Sequence, residues 1–564
     1  MEDSVTVYIT ADTIISSLGF STGENIQHIR EYRSGIRQIN NKDIFHLPFM
    51  GGQIDNTCLK EKAETRLEQL FILSIQDVIR QSGIDISSPE CMIILSTTKG
   101  NINAPLPEMG KRIAAHWGLS SSPIIISNAC ISGVSALIVA SRLIREGRYK
   151  HIVVAGGDEL TRFVVTGFES FKSVSPEVCR PYDKARNGLS LGEACGAVLV
   201  TSDSRFVHDG QPIVIEGGVI SNDANHISGP SRTGDSLSFA ISGAMEENKL
   251  AAEGISFVNA HGTATVYNDE MESKALRLAG LDDKPLNSLK PYWGHTLGAS
   301  GLIECIACME ELRNGELFGT LGFKESDTTW PLQVCATHQS MEMKRCLKTA
   351  SGFGGCNAAI VLALEPYAKP ILRKNPPRIQ TLHTCIVEQN SILKDGEIVF
   401  QATKGDDFAL FIRGAYKHLA TEDRKFYKMD DLCKLGYTAA AYLLSDINLS
   451  TLCKPEEIGI ILSNASASLD TDLKHQHTID TLGDHEASPA TFVYTLPSVV
   501  MGEICIRHNI KGENTFFISG EYDEAFIRQY AETAMKHQTL RACIIGWCEL
   551  LKHKYSARFQ LLLG

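Results

Sequence analysis

Two hydrophobic patterns alternate along this chain. Short runs of mostly β-branched residues recur as "SVTVYITA", "CMIILST", "PIIIS", "HIVVAGG", "GAVLVTS" and "AAIVLALE". Continuous apolar runs of this length are typical of strands buried on both faces. Between several of them lie longer stretches with apolar residues at helical spacing, such as "ETRLEQLFILSIQDVIRQSG" and "GLIECIACMEELRNGEL". Strands separated by helices predict an α/β fold with largely parallel or mixed sheets.

One stretch breaks the pattern. "EPYAKPILRKNPPRIQ" holds four prolines and four basic residues, the composition of a semi-extended connector. A linker is therefore expected over 366–380. Beyond it the earlier pattern returns in looser form. "RLEQLFILSIQDVI" then "CMIILSTT" is echoed by "DLCKLGYTAAAYLL" then "IGIILSNA". "PIIISNACISG", a helix, then "HIVVAGGDE" is echoed by "TFFISGEYDEA", a helix, then "ACIIGWCE". Such an echo is the trace of a duplicated supersecondary unit.

Composition narrows the class. The 564 residues carry a net charge of −12, which argues against a dedicated nucleic-acid binder. Sixteen cysteines are scattered rather than spaced as a disulfide framework, which points to free thiols in a reducing cytoplasm. The start shows no signal-type segment. No apolar run approaches the ~20 residues of a membrane span. Cys305 and Cys308 form a CxxC inside an apolar helix without a second pair nearby, so no metal site and no cofactor are expected.

Candidate chemistry starts at Cys130, where "PIIIS" gives way to a helix. Unpaired N–H groups at a helix start favour thiolate, and Ala129, Ser132 and Gly133 allow a tight turn and close approach of a substrate. An isolated cysteine is nevertheless more often inert core. "VNAHGTATVYNDEMESKAL" delivers His261 into a Gly/Thr-rich loop, followed by Asp269 and Glu272. "NSLKPYWGHTLGASG" sets Lys290 and His295 in a Gly-rich turn before a helix, and "TASGFGGCNAAIVLAL" sets Phe353 among glycines before a strand. That last loop precedes a strand instead of opening a helix, so it is not a dinucleotide cradle.

Together with "SGIRQI", "GGDELTRFVVTGFESFKSVS", "CRPYDKARNGLSLGEACGAVLV" and "NDANHISGP", these segments resemble, in this order and spacing, the β-ketoacyl synthase family of the thiolase superfamily, Cys-His-His elongating type. The resemblance spans Val5 to Leu364. It implies a thiolase-like five-layer α/β/α/β/α fold, with the nucleophile half over 1–205 and the histidine half over 206–365. It further implies 3-oxoacyl synthesis. Cys130 takes an acyl group from acyl carrier protein, the N–H groups of Cys130 and Phe353 form an oxyanion hole, and His261 and His295 promote decarboxylation of malonyl-carrier protein. Lys290 then supports the histidines with Glu272 as its partner, Asp269 stands beside them, and Phe353 gates the site. Cys356 stands where the synthase pattern usually has Thr, and a thiolase would use a second cysteine in that region. The two histidine motifs favour the synthase. Lys99, Arg112 and the basic linker residues are candidates for carrier docking. The pathway class is fatty-acid, polyene or polyketide biosynthesis. A chain-length-determining or scaffold partner of another synthase is the alternative.

The stretch 381–564 resembles only the nucleophile half of the family, as a degenerate, partial thiolase-like α/β domain. Tyr522 falls where Cys130 stands, and no histidine motifs follow. The plainer expectation is a degenerate duplication that covers hydrophobic surface. The sharper one is an intramolecular pseudo-dimer in place of a homodimer, with "TFFISGE" pairing against "PIIISNA" as a partner's strand would.

Overall fold

The computed structural model describes residues 5–59, 63–207, 212–365, 378–403, 405, 407–420, 423–538 and 540–564. The first sheet is built from β1 (Tyr8–Ser16), β2 (Cys91–Ser96), β3 (Ile124–Ile126), β4 (His151–Asp158) and β5 (Ala194–Thr201). Its order is β3-β2-β4-β5-β1, parallel between β3, β2 and β4 and antiparallel beyond. A second sheet uses β6 (Ile213–Asn222), β7 (Phe257–Asn259), β8 (Pro285–Asn287), β9 (Gln333–Val334), β10 (Arg345–Gly352) and β11 (Cys356–Ala363). It runs β9-β8-β7-β10-β11-β6. All eight residues of each of β4, β5 and β11 are buried, as strands covered on both faces require.

Helices supply the covers. α1 (Arg66–Ser82) packs outside the first sheet on β1, β4 and β5. α2 (Ser132–Arg145) lies between the sheets. Its sequence is apolar around most of its circumference, and thirteen of its residues, Ser132 to Ile144, are buried, the mark of an interior helix. α3 (Asp235–Glu246) and α4 (Val266–Leu278) cover the second sheet. α5 (Ser300–Asn314) joins α2 in the middle. The layers are thus α/β/α/β/α, as the resemblance implied. α2 and α5 approach closely because Gly133 and Gly301 lie at the crossing. A Cβ on Gly133 would sit 2.6 Å from the Leu302 nitrogen, and one on Gly301 would sit 2.6 Å from Val134 Cγ2. Gly133 therefore serves helix packing, not the close approach of substrate that the sequence suggested.

The C-terminal part repeats the first sheet strand for strand. Its strands are β12 (Gln380–Glu388), β13 (Ile458–Asn464), β14 (Asn514–Ile518), β15 (Ala542–Leu551) and β16 (Lys554–Leu563). They run β14-β13-β15-β16-β12 with the same senses. Its helices include α6 (Asp431–Leu443), α7 (Leu469–Leu482), α8 (Pro489–Val493), α9 (Val499–His508) and α10 (Glu524–His537).

The two edges meet. β14 pairs antiparallel with β3, Phe517 opposite Ile126 and Ile518 opposite Ile125. The strand pairing named in the sharper expectation is present: the second copy pairs against the strand leading to Cys130. A buried network ties the join. Arg142 on α2, 1% exposed, bonds Glu513 at 3.1 Å and Tyr530 at 3.0 Å. Glu513 in turn accepts from Tyr530, Thr515 and Gln538. A buried ion pair needs this full set of partners to offset its desolvation.

Most of the expected linker, 366–377, lies outside the described residues. Among the described residues no helix is long and apolar enough to cross a membrane, and no cluster of His, Cys, Asp and Glu is arranged to hold a metal ion. Cys305 and Cys308 are fully buried on α5.

Candidate active site

Cys130 sits in a single 3-10 turn, Ala129–Ile131, that feeds α2. Ala129 adopts a left-handed conformation, φ +48°, a strain of roughly 1–3 kcal/mol that the surroundings must hold in place. The second copy holds it. Asn128 donates to the Asn514 carbonyl at 2.6 Å and accepts from the Phe516 nitrogen at 3.1 Å, and Ser127 N–H donates to the Phe516 carbonyl at 3.0 Å.

The backbone N–H groups of Phe353 and Cys130 both favour the charged form of the Cys130 sulfur. The expected thiolate bias does not survive in the free site. Burial of the thiol is the largest effect and pushes it up to about 12, against the opposing pull of Lys290. Cys130 thus rests as a neutral thiol.

His295 Nε2 lies 3.1 Å from Cys130 Sγ, and its Nδ1 faces Ser300 Oγ at 3.3 Å. The His261 ring stands 5.4 Å away from His295, nearly perpendicular. Burial, then Lys290, drives His295 down to about 3, and the same two causes hold His261 well below the usual imidazole range. Both rings are neutral at pH 7. Each carries one N–H donor and one acceptor nitrogen.

Lys290 is fully buried, as a supporting cation must be, but its partner is Glu304 at 2.8 Å, not Glu272. Glu304 also takes Lys348 at 2.6 Å. Glu272 is committed elsewhere. It accepts the backbone N–H groups of His261 and Gly262, at 2.8 and 2.9 Å, and the hydroxyls of Thr349 and Tyr182. Asp269 accepts from the nitrogens of Tyr182 and Thr263. Both carboxylates, carried on α4, bond the backbone of the His261 loop. Sequence reasoning missed Glu304 and Lys348. Glu304, set among the apolar residues of "GLIECIACM", was the available signal, since a charge buried on an interior helix must be paired.

Cys356 does not face the cavity. Its thiol donates to the Phe353 and Asn128 carbonyls, pinning the Phe353 loop to the nucleophile turn. Phe353 stacks on Phe168 at 6.0 Å and touches Phe171 at 5.6 Å. A cavity of about 1140 Å³ opens from Cys130, His261, His295 and Phe353 past Lys172, Arg232 and Lys274 to solvent. Lys99 and Arg112 are not at its mouth. Lys99 is buried against Asp472 at 3.0 Å, and Arg112 is held by Glu68. Of the linker candidates, Lys369, Arg373 and Lys374 lie outside the described residues.

A duplicated five-layer α/β fold with a cysteine at a strand-to-helix turn and two neutral histidines around it defines a thiolase-like protein. Family models narrow this further. The β-ketoacyl synthase N-terminal domain matches residues 108–205 and the C-terminal domain matches 213–324. Over these two stretches the chain is similar to the β-ketoacyl synthase family. It is 30% identical over 268 residues to a putative polyketide beta-ketoacyl synthase 1 of Streptomyces halstedii, covering 45% of this chain and 63% of that protein. It is 25% identical over 396 residues to nodulation protein E of Rhizobium meliloti, covering 63% of this chain and 98% of that protein. The match thus spans less than two thirds of the first relative's length. In fold, a solved structure described as the PfaC keto synthase-chain length factor aligns over 99% of this chain and 78% of that one, with TM-score 0.76 and 14% identity.

Proposed function

We propose that this chain is a 3-oxoacyl-carrier-protein synthase whose residues 5–365 catalyse a decarboxylative condensation. The observation that carries the reading is the approach of His295 Nε2 to the Cys130 sulfur, 3.1 Å, with the His261 ring 5.4 Å from that of His295. In acyl transfer the Cys130 S–H bond breaks, a Cys130 thioester forms, and the proton leaves with the carrier thiol. The backbone N–H groups of Cys130 and Phe353 take the negative oxygen of the tetrahedral intermediate. In the second half-reaction the malonyl carboxylate leaves as CO₂, and its bonding pair becomes an enolate. The Nε2–H groups of neutral His261 and His295 stabilise the enolate oxygen. Lys290 and Lys348 against one Glu304 leave a net positive field there. The enolate carbon then attacks the Cys130 thioester, releasing the sulfur and leaving a 3-oxoacyl chain on the carrier.

Lys172, Arg232 and Lys274 along the cavity wall suit the phosphate-bearing arm and acidic surface of an acyl carrier protein. The β14–β3 pairing supports an intramolecular pseudo-dimer. The test is incubation with acyl-carrier protein, then intact mass. An acyl adduct should form on the wild type and not on Cys130→Ala, and malonyl-carrier protein should lose CO₂. An adduct unchanged in Cys130→Ala, or no decarboxylation at all, refutes the proposal and favours a non-catalytic partner.

A further inference from the structure

His475 on α7 is 1% exposed, yet neither ring nitrogen has a hydrogen-bond partner among the described residues. Burial, then Lys99, pushes its imidazole down to about 4, so it is neutral and offers one donor and one acceptor. Buried polar atoms are nearly always paired, and an unpaired one in a close-packed region asks what it is kept for.

Its position gives the answer. The ring packs edge-on against Phe163 at 4.9 Å and tilts against Phe492 at 5.6 Å. Phe492, on α8 of the second copy, touches Phe168 at 5.4 Å, and Phe168 stacks on the gate Phe353 at 6.0 Å. A row of aromatic rings therefore leads from the nucleophile loop, across the join, to His475. The cavity at Cys130 is lined as far as Phe168 and Phe171, and the packing beyond them toward His475 is apolar, with Leu160, Val164, Leu189 and Leu297 in the same cluster. Polarity returns only at the far end. Lys99 Nζ stands 5.0 Å from the Phe163 ring and pairs with Asp472, one turn before His475.

We propose that His475 receives a hydroxyl or keto oxygen carried on the acyl chain far from its thioester; the inference rests on the condensing reading above. A plain hydrocarbon end would leave both imidazole nitrogens unpaired, while an oxygen function pairs one of them. A terminal carboxylate fits worse, because Lys99 is already neutralised by Asp472 and a second anion would face that carboxylate.

The test compares matched acyl-carrier proteins, one donor alkyl and the other of equal length with a distal hydroxyl or keto group. Cys130 acylation is timed by mass spectrometry on the full chain. Wild type should acylate faster with the oxygenated donor by at least roughly tenfold, the direction expected when a site pairs a buried polar group with its substrate. His475→Phe should lose the preference while still accepting the alkyl donor. His475→Gln, which keeps a donor and an acceptor, should retain part of it. Equal rates in wild type, or a preference unchanged in His475→Phe, overturn the inference and leave the synthase reading standing. No acylation of Cys130 by either donor overturns both.

Discussion

Glu304 is the residue whose loss the geometry makes most legible. Its carboxylate, 2% exposed, faces two fully buried ammonium groups, Lys290 at 2.8 Å and Lys348 at 2.6 Å. Glu304→Gln keeps the shape and removes the charge, so the cluster goes from one net positive charge to two. Removing one partner of a buried pair costs about 3–5 kcal/mol. Each kcal/mol lowers Tm by roughly 2–4 °C in a domain of this order of size, so melting should fall by roughly 6–20 °C at pH 7. The deficit has a pH signature. Burial already holds Lys290 below the usual lysine range, and Glu304 is what opposes it. Without Glu304, Lys290 falls further. A lysine depressed in the folded state destabilises while it must be protonated and ceases to do so as pH rises through its folded value. The gap to wild type should therefore narrow between pH 7 and pH 10. Lys290 and Lys348 both depress His295 while Glu304 raises it, so the imidazole stays neutral in the variant. Activity should track folded protein rather than gain a new acid limb. Calorimetry across pH is the assay. A Tm within about 2 °C of wild type at pH 7, or a gap that widens with pH, would refute the reasoning.

Acid stability should depend on Glu146, which His537 and Lys536 on α10 hold down at about 2 from the ordinary value of 4.5. Its folded value is depressed, so its contribution is full above about 4.5 and is lost as pH falls toward 2; Glu146→Gln should flatten urea midpoints across that window. Gly502 on α9 lies against the gate loop, where an added Cβ would sit 2.7 Å from the Gly354 carbonyl oxygen. Gly502→Ala should cost about 1–3 kcal/mol of overpacking and slow Cys130 acylation more than it weakens carrier binding, read as a fall in kcat larger than the rise in KM. The β14 edge occupies β3, so light scattering should report one chain per particle. A chain ending at residue 365 should expose that edge and dimerise or aggregate.

Much of this was legible in the sequence because the signals were local. Apolar runs gave β2, β4, β5 and β11, and the echo gave β13 to β15 with the right neighbours. Cys130, His261, His295 and Phe353 came from motifs that each sit at the end of one strand or helix, so folding brings their carriers to one place. What failed were pairings and balances set by three-dimensional packing. Glu272 was assigned to Lys290 among the acidic residues of the neighbouring motif, whereas Glu304 reaches Lys290 from one α5 turn past Ser300. The helix start at Cys130 was weighed without the desolvation that outweighs it. Lys99 looked like a surface cation until α7 was seen to cover it. Phe492 and His475 lie in the copy that lacks the motifs, and nothing in their own segments marks them as facing the first copy.

The shape of the C-terminal part has a physical reason. What the first copy needs from a neighbour is an edge strand for β3, partners for both ends of the Asn128 amide, an acid for Arg142, and a helix against Gly354. β14 supplies the first two, Glu513 the third and α9 the fourth. All belong to a nucleophile-type half. In the first copy the histidines come from β7 and the turn before α5, and they face that copy's own cysteine. A neighbour's histidine half would therefore serve only the neighbour's nucleophile. With Tyr522 at that position, half-buried against Trp547 with its hydroxyl unpaired, the neighbour has no nucleophile to serve. What this copy supplies to the nucleophile turn is the strand and the backbone partners that hold Ala129 in its strained conformation.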